Sequence, residues 1–253
     1  MTSPFSLKNK NIIITGSSSG IGRQCAISCS QMGANVVLIA RSEKRLKETL
    51  QKLSPVNHLF FCQDITEYNK LRDIVNKAVL DIGLVDGFIH SAGIEFTLPV
   101  RSMNPNKYEQ LFATNVISGF EIAKIISNKK FINPQRASFV FIASITGIFG
   151  VKGLVGYSSS KGALIAGSRS LSLELAAKNI TVNCISPGLI LTDLMKKFFS
   201  KLENDQLEKR LQSYPLGIGQ TEDVANACVF LLSDAAKWIT GTNLVVDGGR
   251  CAQ

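Results

Sequence analysis

Seven short apolar runs, separated by longer polar stretches, constrain this chain more than any other feature. They are NIIIT (11–15), NVVLIA (35–40), HLFFC (58–62), GFIHS (87–91), ASFVFIA (137–143), ITVNCIS (180–186) and NLVVD (243–247). Runs this rich in Val, Ile and Phe, with little polar alternation, are how strands buried on both faces look, and such strands belong to parallel sheets. Between them lie stretches such as SEKRLKETLQKL, EYNKLRDIVNKAVLDI and NKYEQLFATNVISGFEIAKII. Their apolar residues fall three and four apart, the period of a helix with one buried stripe. Strand–helix–strand alternation implies right-handed crossovers and a doubly wound α/β fold: about seven parallel strands with helices on both faces, in three layers. No repeat, low-complexity linker or composition break divides the 253 residues, so a single domain over 1–253 is expected. One stretch differs, TDLMKKFFSKLENDQLEKRLQSYP at 192–215. It is charged and helix-prone, and it sits between the sixth and seventh strands, where ligands of open sheets bind. It is therefore a candidate substrate lid, with an ordinary pair of surface helices as the alternative.

Hydrophobic residues make up 45% of the chain and charged residues 19%, which describes a globular protein. No signal peptide is recognisable at the start, and the most apolar stretch, ASFVFIASITGIFGV, is too short to span a bilayer. A cytoplasmic protein with no membrane association is expected. Six scattered cysteines without a CxxC pair read as free, buried thiols, and two histidines are too few for most zinc sites, so no metal is expected. The net charge of +9 is spread along the chain with no basic tail and no nucleic-acid motif. No nucleic-acid partner is expected. The charge suits an anionic cofactor, an acidic protein partner, or solubility alone.

The first strand runs directly into TGSSSGIG and then a helix-like stretch, with glycines at Gly16, Gly20 and Gly22. A strand, a Gly-rich turn and a helix N-terminus let backbone N–H groups approach a pyrophosphate, as in the Rossmann-type dinucleotide folds, and side chains at the glycines would block that approach. The spacing is neither the common G-x-G-x-x-G nor a P-loop. The second strand ends at Arg41 rather than at the Asp or Glu that would bind a ribose hydroxyl, and Lys44 and Arg45 follow closely. A guanidinium there suits a 2′-phosphate, so NADP(H) is the preferred cofactor and NAD(H) the alternative.

Residues 157–161 read YSSSK, and Ser144 ends the run FVFIAS. On one helix Tyr157 and Lys161 share a face. A phenol with a reference pKa near 10 is a poor proton-transfer group at neutrality, and a neighbouring ammonium favours its phenolate. Taken singly, each residue has an ordinary alternative: Ser144 ending a strand, Asn115 capping or kinking a helix, Lys161 solvated.

In order and spacing, TGSSSGIG, HSAG at 90–93, Asn115, Ser144, YSSSK, SPG at 186–188 and ITGTNLVVDGG at 239–249 resemble the short-chain dehydrogenase/reductase family over almost the whole chain. The resemblance implies an NAD(P)-dependent oxidoreductase moving a hydride between nicotinamide and a carbonyl or secondary alcohol. It implies Tyr157 as general acid/base, Lys161 on the nicotinamide ribose, Ser144 on the substrate carbonyl and Asn115 anchoring a proton-relay water. It assigns to the cofactor Gly16, Ser18, Ser19, Gly20, Ile21 and Gly22 of the loop, Arg41, and Asp64 with Ile65. Further along it adds Ala92, Gly93, Tyr157, Lys161, Pro187, Gly188, Ile190 and Thr192. HSAG departs from the family's Asn-Asn-Ala-Gly, which leaves His90 and Ser91 to brace the sheet. PLGIGQTEDVA (215–225) and the ending look most like the 3-oxoacyl-(acyl-carrier-protein) reductase branch, whose acidic carrier would suit a basic surface at Lys129, Lys130, Arg136 and Lys178. The expected function is an NADPH-dependent ketoreductase on a small carbonyl substrate, free or bound to an acyl carrier protein. Ile218 and the stretch IEFTLPVRSM are not typical of that branch, so an NAD-linked sugar or alcohol dehydrogenase competes. A catalytically silent dinucleotide-binding protein would be expected to carry a broken Ser-Tyr-Lys set. A homotetramer or homodimer is implied, packing through helices near 106–127 and 157–177.

Overall fold

The computed structural model describes residues 3–193, 195, 199, 208 and 211–252. Most of the expected lid at 192–215 lies outside the described residues. The seven apolar runs form β1 (Asn11–Thr15), β2 (Asn35–Ala40), β3 (Leu59–Cys62), β4 (Gly87–His90), β5 (Ala137–Ile142), β6 (Ile180–Pro187) and β7 (Asn243–Val246). They make one parallel sheet in the order β3-β2-β1-β4-β5-β6-β7. The described helices are α1 (Gly20–Gln31), α2 (Glu43–Leu50), α3 (Tyr68–Ile82), α4 (Pro105–Phe112), α5 (Ser118–Ile126), α6 (Val155–Ala176) and α7 (Thr221–Leu232).

Local chemistry sets several helix starts. Asn104 accepts from the Lys107 N–H at 3.0 Å, with Pro105 at the first helical position of α4. Gln220 and Asp223 form a reciprocal capping box before α7. The alternation of strand side chains then builds two cores. Ile13, Val37, Phe88, Phe139, Phe141 and Val182 face α3, α5 and α6. Ile12, Ile14, Leu38, Ile89, Val140 and Ile185 face α1, α2 and α7.

Burial on both faces holds for β1, β2, β4, β5 and β6 but not for β3 and β7, which are only partly buried. These two are the sheet edges, where one side has no neighbouring strand. The stretch 106–126, a single helix by its period, is broken by a π turn at Ala113–Ile117 between α4 and α5. Of the six thiols, Cys25, Cys29, Cys184 and Cys228 are buried, whereas Cys62 on the edge strand is exposed and Cys251 half-buried. Among the described residues no helix is long and apolar enough to cross a membrane.

Phe88 lies at the centre of the larger core, edge-on to Phe139 at 5.8 Å and to Phe141 at 6.0 Å, and fully buried. Phe88→Ala removes this ring from a site that cannot collapse, and a loss of about 3–5 kcal/mol in urea unfolding is expected.

Candidate active site

The carboxyl ends of the strands open onto one cleft of about 1370 Å³. Every residue assigned to catalysis or cofactor from the sequence lines it except Gly20 and Asn115. A Cβ on Gly20 would stand 3.4 Å from the side chain of Thr192, which itself lines the cleft. Asn115 is fully buried behind the wall.

The glycine loop follows β1, and its carbonyls are tied back. Arg23 donates to the Ser18 carbonyl at 2.6 Å and the Thr49 hydroxyl to that of Ser17 at 3.1 Å. Helix α1 has no side-chain cap and no acidic residue in its first turn, so its amide dipoles are left for a ligand. The glycines themselves answer to packing more than to ligand access. A Cβ on Gly22 would stand 2.4 Å from the Gly16 carbonyl oxygen, and one on Gly16 would stand 2.7 Å from the Ala92 backbone. Uncapped amides beside a cleft this large fit the pyrophosphate of a dinucleotide. At the β2 end Arg41 and Arg45 line the cleft. Arg41 is 73% exposed and sits 3.9 Å from the Asp64 carboxylate. Burial raises the Asp64 pKa, but hydrogen bonds from Thr66 and the Arg41 charge outweigh it and hold the carboxyl below its usual range.

The other half is set by a close approach of two backbones. Ser144 caps the turn Ile145–Gly147, accepting from the Thr146 N–H at 3.2 Å. A Cβ on Gly147 would stand 2.9 Å from the Gly162 nitrogen of α6. That contact brings Ser144 against the helix that carries Tyr157 and Lys161. The Lys161 ammonium lies 5.6 Å from the Tyr157 ring centre and donates to the Ile142 carbonyl at 2.8 Å. Burial pushes Lys161 down to about 8, against the opposing pull of Cys184 and Glu95. Burial also raises the Tyr157 phenol well above its ordinary value, Glu95 adds to the rise, and a hydrogen bond from Ser144 opposes it. Desolvation acts on both groups and outweighs their proximity.

Behind the cleft, the Asn115 side chain grips the backbone of Ile94 at both ends. Its Oδ1 accepts from the Ile94 N–H at 2.8 Å and its Nδ2 donates to the Ile94 carbonyl at 3.0 Å and to Ser160 at 2.9 Å. His90, standing where the family has asparagine, bridges Thr15 at 3.0 Å and the Asn115 carbonyl at 3.2 Å. Only a protonated Nε2 can serve that carbonyl, so Nδ1 accepts from Thr15. Burial, with the Lys161 charge adding, pushes His90 down to about 3 and keeps it neutral. The imidazole thus ties β1, β4 and the π turn together, while Ser91 lines the cleft. Sequence reasoning missed Glu95, Phe149 and Arg250 in the lining. The unusual stretch after HSAG was the only signal for Glu95, and nothing in the sequence marked the other two.

Such a cleft defines a dinucleotide-dependent oxidoreductase, and relatives agree. A protein-family model described as enoyl-(acyl carrier protein) reductase matches residues 16–250. The 3-oxoacyl-(acyl-carrier-protein) reductase FabG of Chlamydia muridarum is 33% identical over 247 residues, covering 96% of this chain and 98% of that protein. The NAD-dependent glycerol dehydrogenase of Listeria innocua is 32% identical, covering 97% and 95%. A solved structure of 7α-hydroxysteroid dehydrogenase with NADH and 7-oxo glycochenodeoxycholic acid superposes with a TM-score of 0.87 at 30% identity, covering 97% and 96%. The chain belongs to this family of NAD(P)-dependent short-chain dehydrogenases/reductases.

Holding an ammonium in this site costs stability. Unfolding returns the Lys161 pKa from about 8 to near 10.5, so the cost is full below about pH 8 and fades as pH rises towards 10. Lys161→Met is expected to stabilise the protein at pH 7 by about 1–3 kcal/mol in denaturant unfolding, with the gain shrinking above pH 8.

Proposed function

We propose that this chain is an NADPH-dependent ketoreductase, with 3-oxoacyl thioesters, free or carrier-bound, as the leading substrate class. The observation that carries the reading is the meeting of Ser144, Tyr157 and Lys161 in the cleft that also receives the glycine loop. When bound, the dinucleotide supplies the hydride. The hydroxyls of Ser144 and Tyr157 hold the carbonyl oxygen from one side. As the carbonyl carbon is reduced, the C=O electron pair moves to oxygen and the Tyr157 hydroxyl gives it a proton. The alcohol forms and Tyr157 is left as phenolate, to be reprotonated from solvent. Near neutrality the phenol is in the acid form that reduction needs. The Lys161 ammonium stabilises the phenolate and binds the nicotinamide ribose, and Asn115 positions the segment after β4.

Support for NADPH comes from Arg41 and Arg45 at the β2 end, where no carboxylate ends the strand. The exposed pairing of Arg41 with Asp64 favours a second reading, an NAD-linked alcohol or sugar dehydrogenase, in which Arg41 is a surface residue. We also propose a single cytoplasmic domain that assembles as a dimer or tetramer. Ile117, Val155 and Leu173, exposed on or beside α5 and α6, support that assembly.

Assay of NADPH and NADH oxidation over a carbonyl panel tests the activity. Tyr157→Phe is expected to lower kcat by at least about 10²-fold with KM for the dinucleotide little changed. Arg41→Asp is expected to lower the NADPH-to-NADH ratio of kcat/KM by about 10-fold or more. An unchanged ratio supports the NAD-linked reading. Turnover with neither cofactor on any ketone overturns the proposal.

A further inference from the structure

The substrate half of the cleft holds two charges that the chemistry above leaves unassigned. Of the charged residues in the lining, Arg41, Arg45 and Asp64 follow β2 and β3, and Lys161 stands beside Tyr157. Glu95 and Arg250 remain. Glu95 follows β4, next to the backbone that Asn115 grips, and its carboxylate acts on the Tyr157 phenol. Arg250 follows β7, at the opposite edge of the sheet from β3.

Arg250 is built to present its charge. Gly248 and Gly249 are both left-handed, at φ +61 and +88, and turn the chain back over the end of β7. The Asp247 carboxylate, its nearest acidic neighbour in sequence, is engaged by the N–H groups of Gly249 at 2.9 Å and Cys251 at 2.7 Å. The guanidinium stacks 4.6 Å from the centre of the Phe149 ring, which also lines the cleft. A guanidinium held over a ring by a cation–π contact keeps N–H donors for a planar anion. Among the described residues no ion pair engages it.

We propose that the substrate carries its own anionic group, a carboxylate or a phosphate monoester, bound by Arg250 on its Phe149 shelf, several bonds from the reacting carbonyl. The inference rests on carbonyl reduction at Tyr157 and, within that reading, replaces the acyl thioester by a ketone with a free anionic end. Ser144 follows β5 and Arg250 follows β7, strands that lie two spacings or roughly 10 Å apart along the sheet. A compact medium-chain oxo acid spans that distance. Glu95 sets the direction. It lines the cleft with its carboxylate accepting from the Thr97 hydroxyl at 2.8 Å, and that negative charge disfavours an anion next to the carbonyl, so the carbonyl enters first and the anion stays at Arg250. Short 2-oxo acids are poor substrates on this account.

The test compares 7-oxooctanoate with its methyl ester, a phosphorylated ketone of similar length, and pyruvate. Binding to the NADP⁺-loaded enzyme is measured by calorimetry, and turnover is measured with NADPH. The wild type is expected to favour the oxo acid or the phosphorylated ketone over the ester by about 10- to 100-fold in both readouts, the better of the two identifying the anion, and to reject pyruvate. Arg250→Met is expected to bring the acid-to-ester ratio near unity, and Arg250→Lys to restore part of it. Equal binding of acid and ester by the wild type, or an undiminished preference in Arg250→Met, overturns the assignment. An Arg250-dependent preference in binding without turnover of any ketone would overturn carbonyl reduction and leave the anion site standing.

Discussion

The structure depends on a reversal in the winding of its sheet. From β1 the chain winds outward to β2 and β3, then returns to β4 on the other side of β1 and winds the opposite way to β7. Helices after β1 and after β4 therefore lie on opposite faces, and a crevice opens between them where all the strands end. The glycine loop leaves β1 into that crevice, and Ser91 to Glu95 leave β4 beside it. Arg41, Ser144, Pro187 and Arg250 each follow or close a further strand, so their order across the cleft copies the strand order. His90 and Asn115 fix this arrangement by hydrogen bonds from β1 through β4 to the π turn and on to Ile94.

The same geometry makes the site expensive to fold. An ammonium and a phenol sit together in a poorly solvated place, with both pKa values moved towards their neutral forms. A fold selected for stability alone would fill the position of Lys161 with an apolar side chain. Its presence, held by the Ile142 carbonyl and packed under Tyr157, is the structural cost of the proton transfer proposed at that point.

Most of the fold was legible in the sequence because buried parallel strands leave continuous apolar runs, and each of the seven runs became a strand. The order of Gly16, Ser144, Tyr157 and Lys161 was equally plain, since their spacing follows from one helix and two strand ends. What the sequence hid was of a different kind. A π turn shifts the apolar stripe by a single residue, and on either side of it the apolar residues still fall three and four apart, so the break at Ala113–Ile117 was not read from the pattern. Edge exposure of β3 and β7 depends on strand order, which the runs do not carry. Arg250 enters the cleft because of a turn beyond β7, and the shift of Tyr157 depends on burial and on Glu95, none of which can be read from spacing.

The central claim is that Tyr157, with Ser144 and Lys161, presents a carbonyl carbon to a hydride donor lying over the glycine loop. Incubating the protein with NADPH deuterated at the transferring position of its nicotinamide and a reducible ketone, then reading the alcohol by mass spectrometry, tests it most directly. The account predicts one deuterium on the carbinol carbon, formed by the wild type and lost with Tyr157→Phe. An alcohol without deuterium, or an equal yield from Tyr157→Phe, would contradict it.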